Sequence, residues 1–229
     1  MAQMLRKNAE GIITKRGWLS HMPEAFKERL LQHAQLLEFS PGQIIFSPGD
    51  PPGGIYGFVA GTVILSTAPA YSAPRLIDMA LPGDWTGEDS FMTGKTRRFQ
   101  LVAQSTSWMM HVPLDAMEQM AKLTPNDMRA FGIISILASD SLLRIVHDLQ
   151  KKNVSARIAS ALHRMCSATK VPVPLSQVNL SIIANTSRSQ VNSTIQYFVE
   201  KGWVETGYRS ISVINPSELW NHAENNESD

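Results

Sequence analysis

Residues Val173–Glu205 read VPLSQVNLSIIANTSRSQVNSTIQYFVEKGWVE, two apolar-periodic segments separated by a short polar break. Apolar residues recur at helical spacing on both sides of the break, so the spacing predicts two helices joined by a tight turn. The second helix opens on Ser187-Arg188-Ser189-Gln190. A serine followed three residues later by glutamine is a capping box, in which each side chain satisfies the other residue's free backbone N–H. Val191, Ile195 and Phe198 then point one way, and Gly202 sits where a helix stops.

The flanks extend the pattern. Upstream, VSARIASALHRM places Val154, Ile158, Leu162 and Met165 on one helical face. Downstream, WVETGYRSISVI predicts two strands around Thr206-Gly207. Helix, helix, turn, capped helix and hairpin together predict a winged helix-turn-helix. In that motif the second helix enters the major groove and residues of its first turns meet base edges. Those positions hold Arg188, Ser189, Gln190, Asn192 and Ser193. Arg suits guanine O6/N7, and Gln or Asn suits adenine. Thr186 and Ser187 stand where hydroxyls and helix N-terminal amides hold phosphate, and Arg209 in the hairpin tip is a candidate backbone contact. The charge agrees. Six Lys/Arg against two acids between Val154 and Asn215 give +4, and four acids between Pro216 and Asp229 give −4, an acidic tail.

Farther upstream, MRAFGIISILASDSLLRIVHDLQKK follows the start signal Thr124-Pro125-Asn126-Asp127. Phe131, Ser135, Ala138, Leu142, Ile145 and Leu149 repeat at 4-3-4-3-4 spacing, a heptad seam suited to a dimer interface. A second apolar face carries Ile133, Ile136, Leu143 and Val146. Between Phe39 and Val112 the pattern is different: QIIFS, IYGFVAGTVILS, RLIDMAL, FQLVAQ and SWMMHV alternate with PGD and Gly-rich turns, which predicts an antiparallel β sandwich or barrel. Residues 1–38 read as helical from FKERLLQHAQLL. The expected organisation is an α+β chain: an N-terminal β-roll with a leading helix over 1–124, a dimerisation helix and hinge over 125–153, and a winged-helix domain with an acidic tail over 154–229.

Composition narrows function. One cysteine, Cys166, leaves no set for an iron–sulfur cluster or a four-cysteine zinc site. His163 and Cys166 stand three apart without a second pair, and no metal site is expected. No apolar run reaches the roughly 18 residues of a membrane span and no signal peptide is visible, so a cytoplasmic protein without a membrane partner is expected. The stretch GDWTGEDSFMTGKTRRF (Gly83–Phe99) ends like a phosphate loop at Gly94-Lys95-Thr96, but Asp89 occupies the place of its first glycine and the downstream FQLVAQ is strand-like.

The order PGD, Ala60-Gly61-Thr62-Val63, PGDWTGE (Pro82–Glu88), long helix and SRSQVN (Ser187–Asn192) resembles the catabolite activator / fumarate–nitrate regulator (Crp/Fnr) family of bacterial transcription factors. The resemblance covers roughly residues 22–216. It implies a β-roll of the jelly-roll, cyclic-nucleotide-binding-like kind, a homodimer on a palindromic double-stranded DNA operator, RNA polymerase as a partner, and no enzyme activity or catalytic residues. In cyclic-nucleotide-binding members a Gly-Glu pair and an Arg followed by a hydroxyl form the phosphate pocket; the matching residues are Gly87, Glu88 and Arg97, with Arg98 in place of the hydroxyl. Asp89 stands where the family has an apolar residue, and Leu142 and Leu143 stand where the purine meets hydroxyls. A cyclic nucleotide such as cAMP, another small effector and no diffusible ligand all stay open, as does a Glu88–Arg97 ion pair bracing a hairpin. Two rivals are a cyclic-nucleotide-binding module acting through protein partners and a β-barrel metal-dependent enzyme built on Glu88, Asp89 and His111.

Overall fold

The computed structural model describes residues 4–67, 75–166, 172–208 and 210–225. The chain divides into two units, Met1–Asp140 and Ser141–Asp229. The first opens on α1 (Arg6–Ile13), α2 (Gly17–Ser20) and α3 (Glu24–His33). The helical expectation to residue 38 overruns. Backbone at Ala34 is extended and β1 (Gln35–Phe39) pairs with β8 (Ser107–Val112) from Gln35↔His111 to Phe39↔Ser107. Phe26, Leu30 and Leu31 lie in α3, and cross-strand packing sets the conformation of Leu36 and Leu37 beyond it.

Between these strands lie β2 (Ile44–Phe46), β3 (Ile55–Ala60), β4 (Val63–Thr67), β5 (Arg75–Met79), β6 (Trp85–Thr86), α4 (Glu88–Thr93) and β7 (Gln100–Ala103). They form two four-stranded antiparallel sheets of order β1-β8-β3-β6 and β2-β7-β4-β5. Successive side chains on a strand point to opposite faces, and both faces of the first sheet are used. Phe58 and Met109 join Phe39, Phe46, Val63 and Leu101 in one core. Their neighbours Val59 and Met110 join Trp18, Leu30 and Phe131 in a second core beneath the helices.

After α5 (Leu114–Leu123) comes α6 (Pro125–Gln150), 26 residues and so roughly 39 Å long. Its first turns are fixed in the first unit. Arg29 grips Asp127 through two nitrogens, at 2.7 and 3.2 Å, and the Trp18 indole donates to Ala130 O at 2.8 Å. Phe131 is fully buried, with Phe26 and Phe91 rings edge-on to it at 5.6 and 5.4 Å. By length and composition α6 is apolar enough to cross a bilayer, contrary to the sequence expectation. Its start is a core helix, and the rest carries a heptad pattern.

The second unit holds the end of α6, then α7 (Val154–Arg164), β9 (Pro172–Val173), α8 (Gln177–Ile183), α9 (Arg188–Glu200), β10 (Val204–Gly207), β11 (Ser210–Val213) and α10 (Pro216–Asn225). The small sheet runs β10-β11-β9. Leu162, Leu180, Val191, Ile195, Phe198 and Val213 are buried here. The segment read as an acidic tail is α10 as far as Asn225, and its Leu219 and Ala223 are wholly buried. The two apolar residues four apart outweigh the solvating effect of the acids.

Candidate nucleic-acid interface and ligand pocket

The break between α8 and α9 is built by short-range bonds. Ser176 caps α8 by accepting from Asn179 N at 3.1 Å. Asn185 turns the chain with a φ of +46°, a region Asn enters more readily than most residues. Ser187 Oγ then accepts from Gln190 N at 3.2 Å, and Gln190 Oε1 accepts from Ser187 N at 3.4 Å, so the capping box is formed. Gln190 Oε1 also accepts from Thr186 Oγ1 at 2.6 Å. Its oxygen is therefore engaged in shaping the helix start. Ser193 Oγ donates to Gln190 O at 3.1 Å.

Buried Val191, Ile195 and Phe198 hold α9 to the unit, which leaves Arg188, Ser189, Asn192 and Ser193 on the exposed side. Arg188 makes no ion pair among the described residues and lines an open groove of about 550 Å³ with Ser176, Gln177, Asn179, Thr206 and Ser210. Gln177, Arg188, Ser189 and Asn192 line an adjoining recess. Gln177 Nε2 donates to Asn192 Oδ1 at 3.1 Å. Gln177 escaped the sequence reading; its signal is its place directly after the N-cap serine of α8. Strand β10 runs through Thr206 and Gly207 and pairs Gly207 with Ser210, so Thr206 and Gly207 belong to the strand. Arg209 lies outside the described residues.

For Gly83–Phe99 a hairpin is one of the readings the sequence leaves open. Instead β6 leads through Gly87, in left-handed backbone at φ 99°, into α4. A Cβ at Gly87 would lie 2.6 Å from Arg97 Nη1, so glycine serves both conformation and contact. Arg97 is 4% exposed. Nη1 donates to Gly87 O and Nη2 to Gly54 O, each at 2.7 Å, and the guanidinium lies over the Phe46 ring at 4.5 Å. Burial lowers its pKa, opposed by the charges of Tyr56, Asp89, Glu88 and Asp50.

Glu88 is 5% exposed and accepts from Ser135 Oγ at 2.9 Å. Burial raises its pKa. Among the described residues Glu88 and Arg97 form no ion pair: Glu88 is bonded to Ser135 on α6 and Arg97 to two backbone carbonyls. The Asp89 carboxylate is buried without a hydrogen-bond partner, and the Arg98 guanidinium stands 3.9 Å away. Tyr56 stacks on His111 at 4.5 Å, and burial, aided by Arg97, lowers the His111 pKa. His163 packs on Trp220 at 5.2 Å. Among the described residues no group of three or more His, Cys, Asp and Glu is arranged to hold a metal.

Along α6 the heptad positions separate. Phe131 and Ser135 face the interior of the first unit and Ile145 is buried in the second. Ala138, Leu142 and Leu149 are exposed. So are Ile136 (62%), Leu143 (67%) and Val146 (53%), the face that spacing alone had set apart from the seam.

A cyclic nucleotide-binding domain model matches residues 36–123, and a Crp-like helix-turn-helix domain model matches residues 156–221. A β-roll of that type followed by that helix-turn-helix defines a transcription regulator rather than an enzyme. The chain belongs to the Crp/Fnr family. Solved structures share the fold. FixK2 from Bradyrhizobium japonicum is 19% identical with a TM-score of 0.71, covering 82% of this chain and 96% of that one. The c-di-GMP responsive global regulator CLP of Xanthomonas campestris is 19% identical with a TM-score of 0.62, covering 84% and 99%. A transcriptional regulator of the CRP/FNR family from Thermus thermophilus, TTHA1359, is 18% identical with a TM-score of 0.64, covering 84% and 100%. No curated protein matches the chain in sequence.

Proposed function

We propose that the chain is a homodimeric regulator that reads a palindromic DNA operator in the cytoplasm, with RNA polymerase as its downstream partner. The observation that carries this is α9: a helix with a formed capping box whose outward Arg188, Ser189 and Asn192 border an open groove. Arg188, Ser189, Asn192 and Ser193 offer the base-reading face, while Thr186 and Ser187 stand at the helix start, where hydroxyls and backbone amides suit phosphate. Arg209 contributes a backbone contact from the wing. Gln190 acts as an orienting residue, since its oxygen is bound in the cap. We assign sensing to residues 1–124, dimerisation to 125–153 and DNA binding to 154–229. The exposed Ile136, Leu142, Leu143, Val146 and Leu149 supply the apolar face for the partner helix.

Control by an effector fits the same scheme. A ligand that favours one dimer arrangement shifts the population toward recognition helices one DNA turn, about 34 Å, apart. The effector belongs in the region of Gly87, Glu88, Arg97 and Arg98. Arg97 uses two of its five N–H donors on the Gly54 and Gly87 carbonyls, which leaves donors for an anionic effector such as cAMP, while the negative charge of Asp89 opposes one.

The experiment is a selection from a pool of random duplexes by the full chain. Enrichment of an inverted repeat whose half-sites lie about one helical turn apart supports the reading. Recovery of sequences without any shared repeat contradicts it.

A further inference from the structure

We infer that Arg157 is a positioning residue for DNA recognition: it clamps the segment that leaves α6 to the turn that launches α9. Its guanidinium bonds four carbonyls on two segments far apart in sequence. Nη1 donates to Lys151 O at 2.7 Å and to Lys152 O at 3.1 Å. Nε donates to Ala184 O at 3.0 Å, and Nη2 to Asn185 O at 3.3 Å. Lys151 and Lys152 follow α6 directly, and Asn185 is the positive-φ residue two places before the α9 N-cap. A planar guanidinium with five donors in fixed directions is suited to such a bridge, and a lysine ammonium is not.

A second tie holds the same segment. Lys151 is buried, and its Nζ donates to Ala223 O at 3.1 Å and to Glu224 Oε1 at 2.8 Å on α10. Asp148, on the last turn of α6, pairs with Arg164 on α7. The end of α6 and the DNA-reading helices therefore form one body, in keeping with the division of the chain at Ser141 instead of at residue 154. The linker 151–153 is not a swivel. The direction of α9 follows the last turns of α6, and the spacing between the two recognition helices of a dimer is set there.

This inference rests on the proposed palindrome-binding dimer, and half-site spacing tests it separately. Inserting or removing one base pair turns one half-site by roughly 35° relative to the other. The full chain, wild type and Arg157→Gln, is titrated with duplexes whose half-sites are separated by the selected spacing and by one or two pairs more or less, and with a single half-site. Wild type should lose at least about tenfold at one pair off the optimum, as a rigid two-site reader must. Arg157→Gln should flatten the profile to within about threefold while keeping single half-site affinity within about twofold. Should Arg157→Gln melt at the assay temperature, Arg157→Lys is read by the same criteria. An unchanged spacing profile in the variant overturns the inference, and so does loss of half-site binding, which makes Arg157 part of the fold of α9 itself. A wild type that binds no palindrome at all overturns the underlying reading, and the inference with it.

Discussion

Arg188 and Arg97 show how the same side chain takes opposite roles by its surroundings. Arg188 is exposed and makes no ion pair among the described residues, so its donors are open to a partner. Arg188→Ala should cost about 1–3 kcal/mol per half-site and relax the preferred base, with the fold intact. Arg97 is enclosed by carbonyls, and the space around it is tight. A Cβ at Gly54 would lie 1.8 Å from Val112 O, so Gly54→Ala should destabilise the first unit by about 1–3 kcal/mol or more, read by denaturant titration. Glu88 carries a pH signature. Burial raises its folded-state pKa, so its contribution to stability is greatest at low pH and is lost as pH rises from the free-carboxyl range through the raised folded value. Glu88→Gln keeps an acceptor for Ser135 and has no charge to bury. Its melting temperature relative to wild type should therefore climb between pH 4 and pH 8; a difference that is flat or falls with pH would show that Glu88 is not destabilised by ionisation. The residues of this pocket were legible in Gly87, Glu88 and Arg97 as a group. Their bonds were not, because the partners of Arg97 are backbone carbonyls of Gly54 and Gly87, which no side-chain pattern announces.

At the scale of elements, α9 was the most legible part of the chain. Its capping box and apolar face are local, so sequence spacing determines them. α4 and α10 were the least legible. α4 has six residues and starts on a left-handed glycine, too short for a period to register, and α10 was obscured by its acidic composition although Leu219 and Ala223 mark its buried side. α6 was legible as a helix but not in its orientation. Two apolar faces look alike in sequence, and tertiary packing of Phe131 against Trp18, Phe26 and Phe91 decides which is inward at its start. The two faces predict different phenotypes. Phe131→Ala should cost about 3–5 kcal/mol of stability, as removal of a core aromatic does. Leu143→Glu should leave the melting of the first unit nearly unchanged and shift sedimentation from dimer to monomer. A Leu143→Glu variant that remains dimeric would remove this face from the interface.

For the whole molecule, the proposed function assigns sensing to the N-terminal β-roll and DNA reading to the winged helix. A ligand at 100 times its dissociation constant adds about 2.7 kcal/mol to stability, which a thermal scan resolves. A clear shift with cAMP or cGMP would place a cyclic phosphate on the remaining donors of Arg97; no shift with either would leave Arg97 a structural tie to the Gly54 and Gly87 carbonyls. The central claim is that α9 reads DNA sequence. The most direct measurement is equilibrium binding of wild type and Arg188→Ala to the selected palindrome and to a scrambled duplex of the same length, from about 50 to 200 mM salt. All four affinities should fall with salt, because phosphate contacts are shared. Wild type should hold a large preference for the palindrome, and Arg188→Ala should lose much of it while binding the scrambled duplex nearly as well. Equal wild-type affinity for the two duplexes, or a preference untouched by Arg188→Ala, would contradict the assignment of α9 as the reading helix.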